Sequence, residues 1–411
     1  MIVKKMKVLA GNPYLKTDKK KIMVDLIPFD DILKLSKTPI MIFLENKIRD
    51  NIKVFKNIFG SIFQNFECFY SFKANFLSEI CEIICSEDIG AEIVGLPELK
   101  LALHLNFPVK KILIGGPFLS EDLIEESIKN RVKEIIVYNL NDLDKINLIA
   151  KKYNRVQNIC LRINSEKYAS KLGIILDHKN LLKLKEKINS LHNIHIISIL
   201  SHYSTQMNNI ELFQKNIMTI GTNLKKLDEI GLEIENINLG GGFPEATVIP
   251  EKQLKEIAFG IKDSIENLQI KYKKIYFEPG RYFVGDSGIF ISEIINVTND
   301  RWIFLDVGNH ICPKFARCSL RFYNATQINN PHKYKTSIAG IVPTDQDVLV
   351  KDYFFTEKLK QGDKIIVTNV GAYTLTFSNR FPYSLPPIFL VRDNNIKKIF
   401  SPSINHDFSL Y

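Results

Sequence analysis

Between residues 68 and 281 the chain alternates short apolar runs with longer segments whose apolar positions recur every three or four residues. The short runs are "CFYSFKAN" (68–75), "AEIVG" (91–95), "KILIGGP" (111–117), "EIIVYN" (134–139), "NICLRIN" (158–164), "IISILSHY" (196–203), "NINLGGGF" (236–243) and "KIYFEPGR" (274–281). Their length and β-branched content predict strands, while intervening segments such as "LPELKLALHL" and "LFQKNIMTIGTNLKKLDEI" predict amphipathic helices. Strands alternating with helical crossovers must run parallel. Eight such units in roughly 215 residues match a closed (β/α)8 TIM-like barrel, with an open doubly wound sheet as the structural alternative.

After residue 285 the rhythm changes to β-rich runs separated by turns: "SGIFISEIINVT", "RWIFLDVG", "TSIAGIV", "DKIIVTNVGAYTLTF" and "PIFLVRD", with "KQGDK" as a turn. The division expected is a barrel over 41–285, a mainly β domain over 286–411, and an N-terminal segment, 1–40, packing on the β domain. Within that segment "KIMVDLIPF" is expected to add a strand to the β domain.

Composition narrows the function classes. At 411 residues and 45% hydrophobic the chain can bury a large core. Its net charge of +10 is scattered, including the basic "MIVKKMK" and "KTDKKK" near the N-terminus, and no arginine-rich stripe interleaves with aromatics. A solvated lysine surface accounts for the charge, and nucleic-acid binding is not expected. Six cysteines lie apart, with no CxxC pair, as in a reduced cytoplasmic protein; Cys81 and Cys85 read as apolar thiols on a helix. There is no run of 18 apolar residues and no leader-like apolar start, so neither membrane insertion nor secretion is expected.

The polar residues that interrupt this pattern collect at the ends of the predicted strands: Lys73, Glu92, Arg162, His202, Gly240 to Gly242, and Glu278 followed by Gly280 and Arg281. In a barrel those ends share the rim on which active sites are built. Taken singly, each has a plainer explanation as a solvated lysine, a core histidine, a rim ion pair or a turn. Taken together they form a chemical set. Three glycines after a strand let backbone N–H groups approach an anion, a lysine amine can condense with an aldehyde, and a carboxylate can hold a protonated ring nitrogen. That set points to pyridoxal phosphate.

Along residues 35 to 400 the chain resembles the fold-type III pyridoxal-phosphate decarboxylases, the family of ornithine, arginine and diaminopimelate decarboxylases, with alanine racemase as a more distant relative. The similarity is carried by "YSFKAN", "HYSTQ", "LGGGFP", "FEPGR" and "GAYT", which occur in the family's order. The resemblance implies that Lys73 binds the cofactor aldehyde, His202 stacks on its ring and Glu278 pairs with the ring nitrogen. It places Gly240, Gly241, Gly242, Gly280, Arg281, Thr205 and Tyr373 around the phosphate, and Glu92 and Arg162 near the cofactor. It also implies a homodimer in which one chain's β domain completes the other's site. A carboxylate at 278 favours decarboxylation, because racemases of this fold set an arginine against the ring nitrogen.

Two departures stand out. Ser204 replaces a glycine, and in "AGIVPTDQDVL" the family's cysteine is missing, with Pro343 or a near neighbour in its place in a loop that reads as shortened. Cys312 and Cys318 lie nearby in sequence. Asp345 and Asp347 remain, and the resemblance implies that they bind a substrate ammonium. The altered loop resembles the branch of the family that decarboxylates amino acids attached to something larger, such as carrier-bound or peptide-nucleotide substrates. A racemase of the same fold and a non-catalytic homologue that regulates a decarboxylase are the alternatives.

Overall fold

The computed structural model describes residues 6–18, 21–165, 170–314, 316 and 319–402, so Cys318 and the first five residues of the basic N-terminus lie outside the described residues. The chain divides into two compact units. One comprises Ile52–Pro244 and Ile249–Gly280; the other comprises Met1–Asn51, Glu245–Val248 and Arg281–Tyr411.

The first unit holds a closed barrel of eight parallel strands: β1 (Phe66–Ser71), β2 (Gly90–Ile93), β3 (Ile112–Gly115), β4 (Glu134–Val137), β5 (Gln157–Arg162), β6 (Ile194–Leu200), β7 (Asn236–Asn238) and β8 (Lys274–Phe277). Neighbours in sequence are neighbours in the barrel, and β8 closes onto β1 through Ile275 opposite Phe66. Each of the eight predicted runs supplies one strand, so the expected fold class is the one observed. The crossovers are amphipathic helices with side-chain caps where the sequence provides them. Ser120, Asp177 and Asn209 accept from the backbone N–H groups of Leu123, Asn180 and Leu212 at the starts of Glu121–Asn130, His178–Ser190 and Ile210–Glu229. Inside the barrel Phe69, Leu113, Ile136, Cys160, Leu200 and Tyr276 pack as a filled core rather than a pore.

The second unit is mainly β. Ile40–Leu44 is wholly buried between Gly288–Val297, to which it runs antiparallel, and Ile388–Arg392, to which it runs parallel. The expected division places residues 41–44 in the barrel, and the structure corrects it. An "IMIFL" run buried on both faces reads the same in either setting, and only its pairing partners show that it is a central strand of the β unit. "KIMVDLIPF" lies in the second unit. It forms two short strands, Ile22–Val24 and Ile27–Pro28, of a separate four-stranded sheet with Lys7–Leu9 and Asn12–Thr17. Leu15, Val24 and Ile32 share a core with Ile289, Ile291 and Ile366. Among the described residues no helix is long and apolar enough to cross a membrane.

Candidate active site

Strand β1 ends at Ser71, and Lys73 sits on a single 3-10 turn, Phe72–Ala74, instead of continuing the strand. The turn buries Phe72 and Ala74 on either side and leaves the lysine side chain 44% exposed. A half-buried ammonium needs a counter-charge, and Glu92 on β2 provides it: Lys73 Nζ lies 3.3 Å from Glu92 Oε2. Glu92 is itself buried and accepts a hydrogen bond from Ser71 Oγ at 2.5 Å. Ser71 and Glu92 are direct partners across the parallel β1–β2 pair, so strand register sets this contact. Gly280 must be small here, because a Cβ on it would stand 2.9 Å from Ala74 Cβ and 3.3 Å from Ser71 Cβ.

Glu278 follows β8 directly and is buried. Its Oε1 accepts from Asn238 Nδ2 at 2.7 Å. Burial and the nearby negative charge of Glu92 push its carboxyl up to about 7, against the opposing pull of Lys73, the Asn238 bond and Arg162. This carboxylate is therefore short of positive charge. Asn238 also steadies the glycine turn, because its Oδ1 accepts the Gly240 N–H at 2.8 Å; that N–H is consequently not available to an anion. The glycine turn is fixed by close approach. Gly240 and Gly242 adopt φ of +65° and +90°, and a Cβ on Gly240 would stand 2.8 Å from His202 Nδ1. A Cβ on Gly241 would overlap the Glu278 carbonyl, and one on Gly242 would come within 2.6 Å of the Ser204 carbonyl oxygen.

His202 lies two residues past β6, against that turn. Its Nδ1 is buried without a hydrogen-bond partner, and burial, with Arg162 and Lys73 adding like charge, pulls its pKa down to about 3. The imidazole is consequently neutral, a flat polarisable surface rather than a cation. Arg162, the last residue of β5, donates from Nη1 to Tyr138 Oη at 2.6 Å and lies 4.6 Å from the centre of the Tyr138 ring. Thr205 is exposed in the loop after His202.

The remaining predicted positions belong to the β unit. Arg281 opens the short helix Arg281–Val284, and its guanidinium lies 4.7 Å from the Tyr373 ring centre. Its Nη1 stands 3.2 Å from Glu245 Oε1, both side chains being buried. Burial holds the Glu245 carboxyl up at about 7 despite the Arg281 charge. Arg281 Nε and Glu245 Oε2 are both buried without partners. Asp345 and Asp347, expected to act alike, do not. Asp345 is exposed, whereas Asp347 is buried and accepts the N–H groups of Asn309 and Val342, each at 2.7 Å. A Cβ at Gly308 or Gly340 would overlap the Asp347 carboxylate. Asp347→Ala is expected to lower stability by about 1.5–3 kcal/mol for each charged hydrogen bond lost, measured by denaturant unfolding; Asp345→Ala is expected to leave stability unchanged. Cys312 is buried.

Sequence patterning does not reveal Ser71, Tyr138 or Glu245, which hold the named side chains in place. Asn238, which does the same, is also absent from the motif set but leaves a signal, since "NIN" places two amides on one face of an otherwise apolar strand.

The barrel residues fit a phosphorylated pyridine aldehyde. Lys73 offers an amine with a carboxylate as counter-charge to its protonated form, and Glu278 offers a buried carboxylate short of a cation. His202 offers a neutral ring, and Gly241, Gly242 and Gly280 offer backbone that no Cβ covers. Comparison with known proteins reaches the same place. The sequence profile described as "Pyridoxal-dependent decarboxylase, pyridoxal binding domain" matches residues 45–285. Diaminopimelate decarboxylase of Staphylococcus aureus is 23% identical over 401 residues, 92% of this chain and 94% of that one. L-glutamyl-[BtrI acyl-carrier protein] decarboxylase of Niallia circulans is 26% identical over 75% of this chain and 78% of its own. The crystal structure of diaminopimelate decarboxylase from M. jannaschii superposes with a TM-score of 0.87 at 22% identity, covering 97% of each chain. The chain belongs to the pyridoxal-dependent decarboxylase family and is a pyridoxal-phosphate-dependent amino-acid decarboxylase built on a (β/α)8 barrel with a mainly β second unit.

Proposed function

We propose that this enzyme removes the α-carboxylate of an amino-acid group carried on a larger biosynthetic intermediate, and that it works in the cytoplasm as a homodimer with shared sites. Loss of CO₂ leaves an electron pair on Cα, and bound pyridoxal phosphate supplies the protonated ring that accepts it. The observation that carries the decarboxylase reading is Glu278. A buried carboxylate raised to about 7 and tethered by Asn238 is suited to hold a proton at a ring nitrogen, which restores the missing positive charge beside it. Lys73 would bind the aldehyde, with Glu92 as the counter-charge to its ammonium form. His202 would offer the ring an uncharged surface, and Arg162, fixed by Tyr138, would supply a positive charge near it. Gly240, Gly241, Gly242, Gly280, Arg281, Thr205 and Tyr373 are assigned to the phosphate, with Gly240 serving through its open backbone rather than its N–H.

The conjugated substrate is supported by the relative whose name specifies a carrier-attached glutamyl group, and by the loop in which Pro343 or a near neighbour replaces the family's cysteine. Asp345 is the loop carboxylate left to meet a substrate ammonium, since Asp347 is occupied with backbone N–H groups. Asp345→Ala is expected to lower kcat/KM by roughly 1.5–3 kcal/mol without changing the absorbance of bound cofactor. The shared site predicts complementation. A heterodimer of one Lys73→Ala chain and one chain altered in 341–347 should regain activity through the site assembled from the two unaltered parts. A verified heterodimer that stays as inactive as its parents would show that each barrel works with its own loop.

A further inference from the structure

Nothing in the reaction as described requires a hydroxyl at position 71, yet Ser71 Oγ lies 2.5 Å from the carboxylate that pairs with the lysine. We propose that Ser71 is a positioning residue that sets how firmly Glu92 holds the Lys73 proton, and so sets the pH range over which Lys73 reacts with an aldehyde. This inference rests on Lys73 being the cofactor lysine.

Three observations carry it. Ser71 Oγ and Lys73 Nζ converge on the same atom, Glu92 Oε2, at 2.5 Å and 3.3 Å. The hydroxyl is held in place because Ser71 is buried and registered directly opposite Glu92, in surroundings so close that a Cβ on Gly280 would stand 3.3 Å from Ser71 Cβ. Glu92 is buried as well, so the division of its charge between two donors is not averaged out by water. A carboxylate that already accepts a hydroxyl proton has less charge to offer an ammonium. With Ser71 present, the lysine gives up its proton more easily. Burial raises the Glu278 and Glu98 carboxyls, and the Glu92 charge adds to the rise in each.

Condensation needs the neutral amine. The ammonium first gives one proton to solvent; the Nζ–carbon bond then forms, and the aldehyde oxygen leaves as water with the two remaining Nζ hydrogens. Removing the hydroxyl should therefore act on the pH profile of cofactor uptake rather than on its ceiling.

The test uses the full-length chain freed of cofactor, with pyridoxal phosphate added across a pH series, following absorbance and the label that borohydride fixes on Lys73. For Ser71→Ala the rising limb should move to higher pH by about one unit, giving roughly tenfold slower uptake at a fixed pH on that limb. The high-pH plateau should equal that of the parent. Glu92→Gln should move the limb to lower pH, and Ser71→Ala added to Glu92→Gln should produce no further shift. A Ser71→Ala profile that overlays the parent, or one lowered equally at every pH, would overturn the inference, as would a full shift in the Glu92→Gln background. Label on a different lysine in the parent chain would instead defeat the reading on which the inference rests.

Discussion

Lys73→Ala is expected to abolish both turnover and covalent capture of the cofactor while leaving the fold intact. The 3-10 turn that carries Lys73 is anchored by its buried neighbours Phe72 and Ala74, and the lysine side chain projects out of that packing with 44% of its surface exposed. Truncating it removes little apolar burial. The cost falls on Glu92, which keeps the Ser71 hydrogen bond but loses the cation that Lys73 supplied. Glu278 should feel the change too, because Lys73 is among the charges that hold its carboxyl down. Borohydride treatment of the parent should fix label on Lys73 in a peptide map, and the variant should carry none. Label persisting on another lysine of the variant would place the reacting amine elsewhere on the rim.

Glu278→Gln should separate binding from chemistry. The amide oxygen of glutamine can still accept from Asn238 Nδ2, and the Asn238 bond to the Gly240 N–H does not involve Glu278 at all. Cofactor should therefore remain bound and linked to Lys73. What disappears is the negative charge proposed to keep a proton on the ring nitrogen. Turnover should fall on the order of 10²-fold or more, about 3 kcal/mol or more of transition-state stabilisation. Near-normal turnover would remove this carboxylate from the mechanism, and loss of cofactor alone would make it a binding residue.

The barrel is legible because each strand is a short apolar run and each crossover a helical one, and because the polar residues that break the runs fall at strand ends. The limits of that legibility are equally physical. Ile40–Leu44 is buried on both faces, and such a run carries no mark of the sheet it joins. Val348–Phe355 escapes detection because "VLVKDYFF" puts Lys351 and Asp352 in mid-strand, with Asp352 at a φ of +52°. Asp345 and Asp347 look alike in sequence, and only the folded loop turns one outward and the other onto the N–H groups of Asn309 and Val342. Glu245 stands three residues past the glycine triplet, where a carboxylate reads as a surface loop residue until its ion pair with Arg281 is seen. Side chains assigned to the cofactor carry motif spacing; those that hold them in place depend on register and burial.

The central claim is that this chain takes CO₂ from an amino-acid group through cofactor bound at Lys73. It is tested most directly by incubating the cofactor-loaded protein with free amino acids and with carrier-bound, peptidyl and nucleotide conjugates of them, following CO₂ release and product mass. At least one substrate, with a conjugate preferred, should lose the mass of CO₂ and keep its α-amine, and the Lys73→Ala chain should release none. Inversion at Cα without CO₂ release would contradict the claim in favour of a racemase. No turnover of any substrate by a chain labelled at Lys73 would contradict it in favour of a non-catalytic homologue.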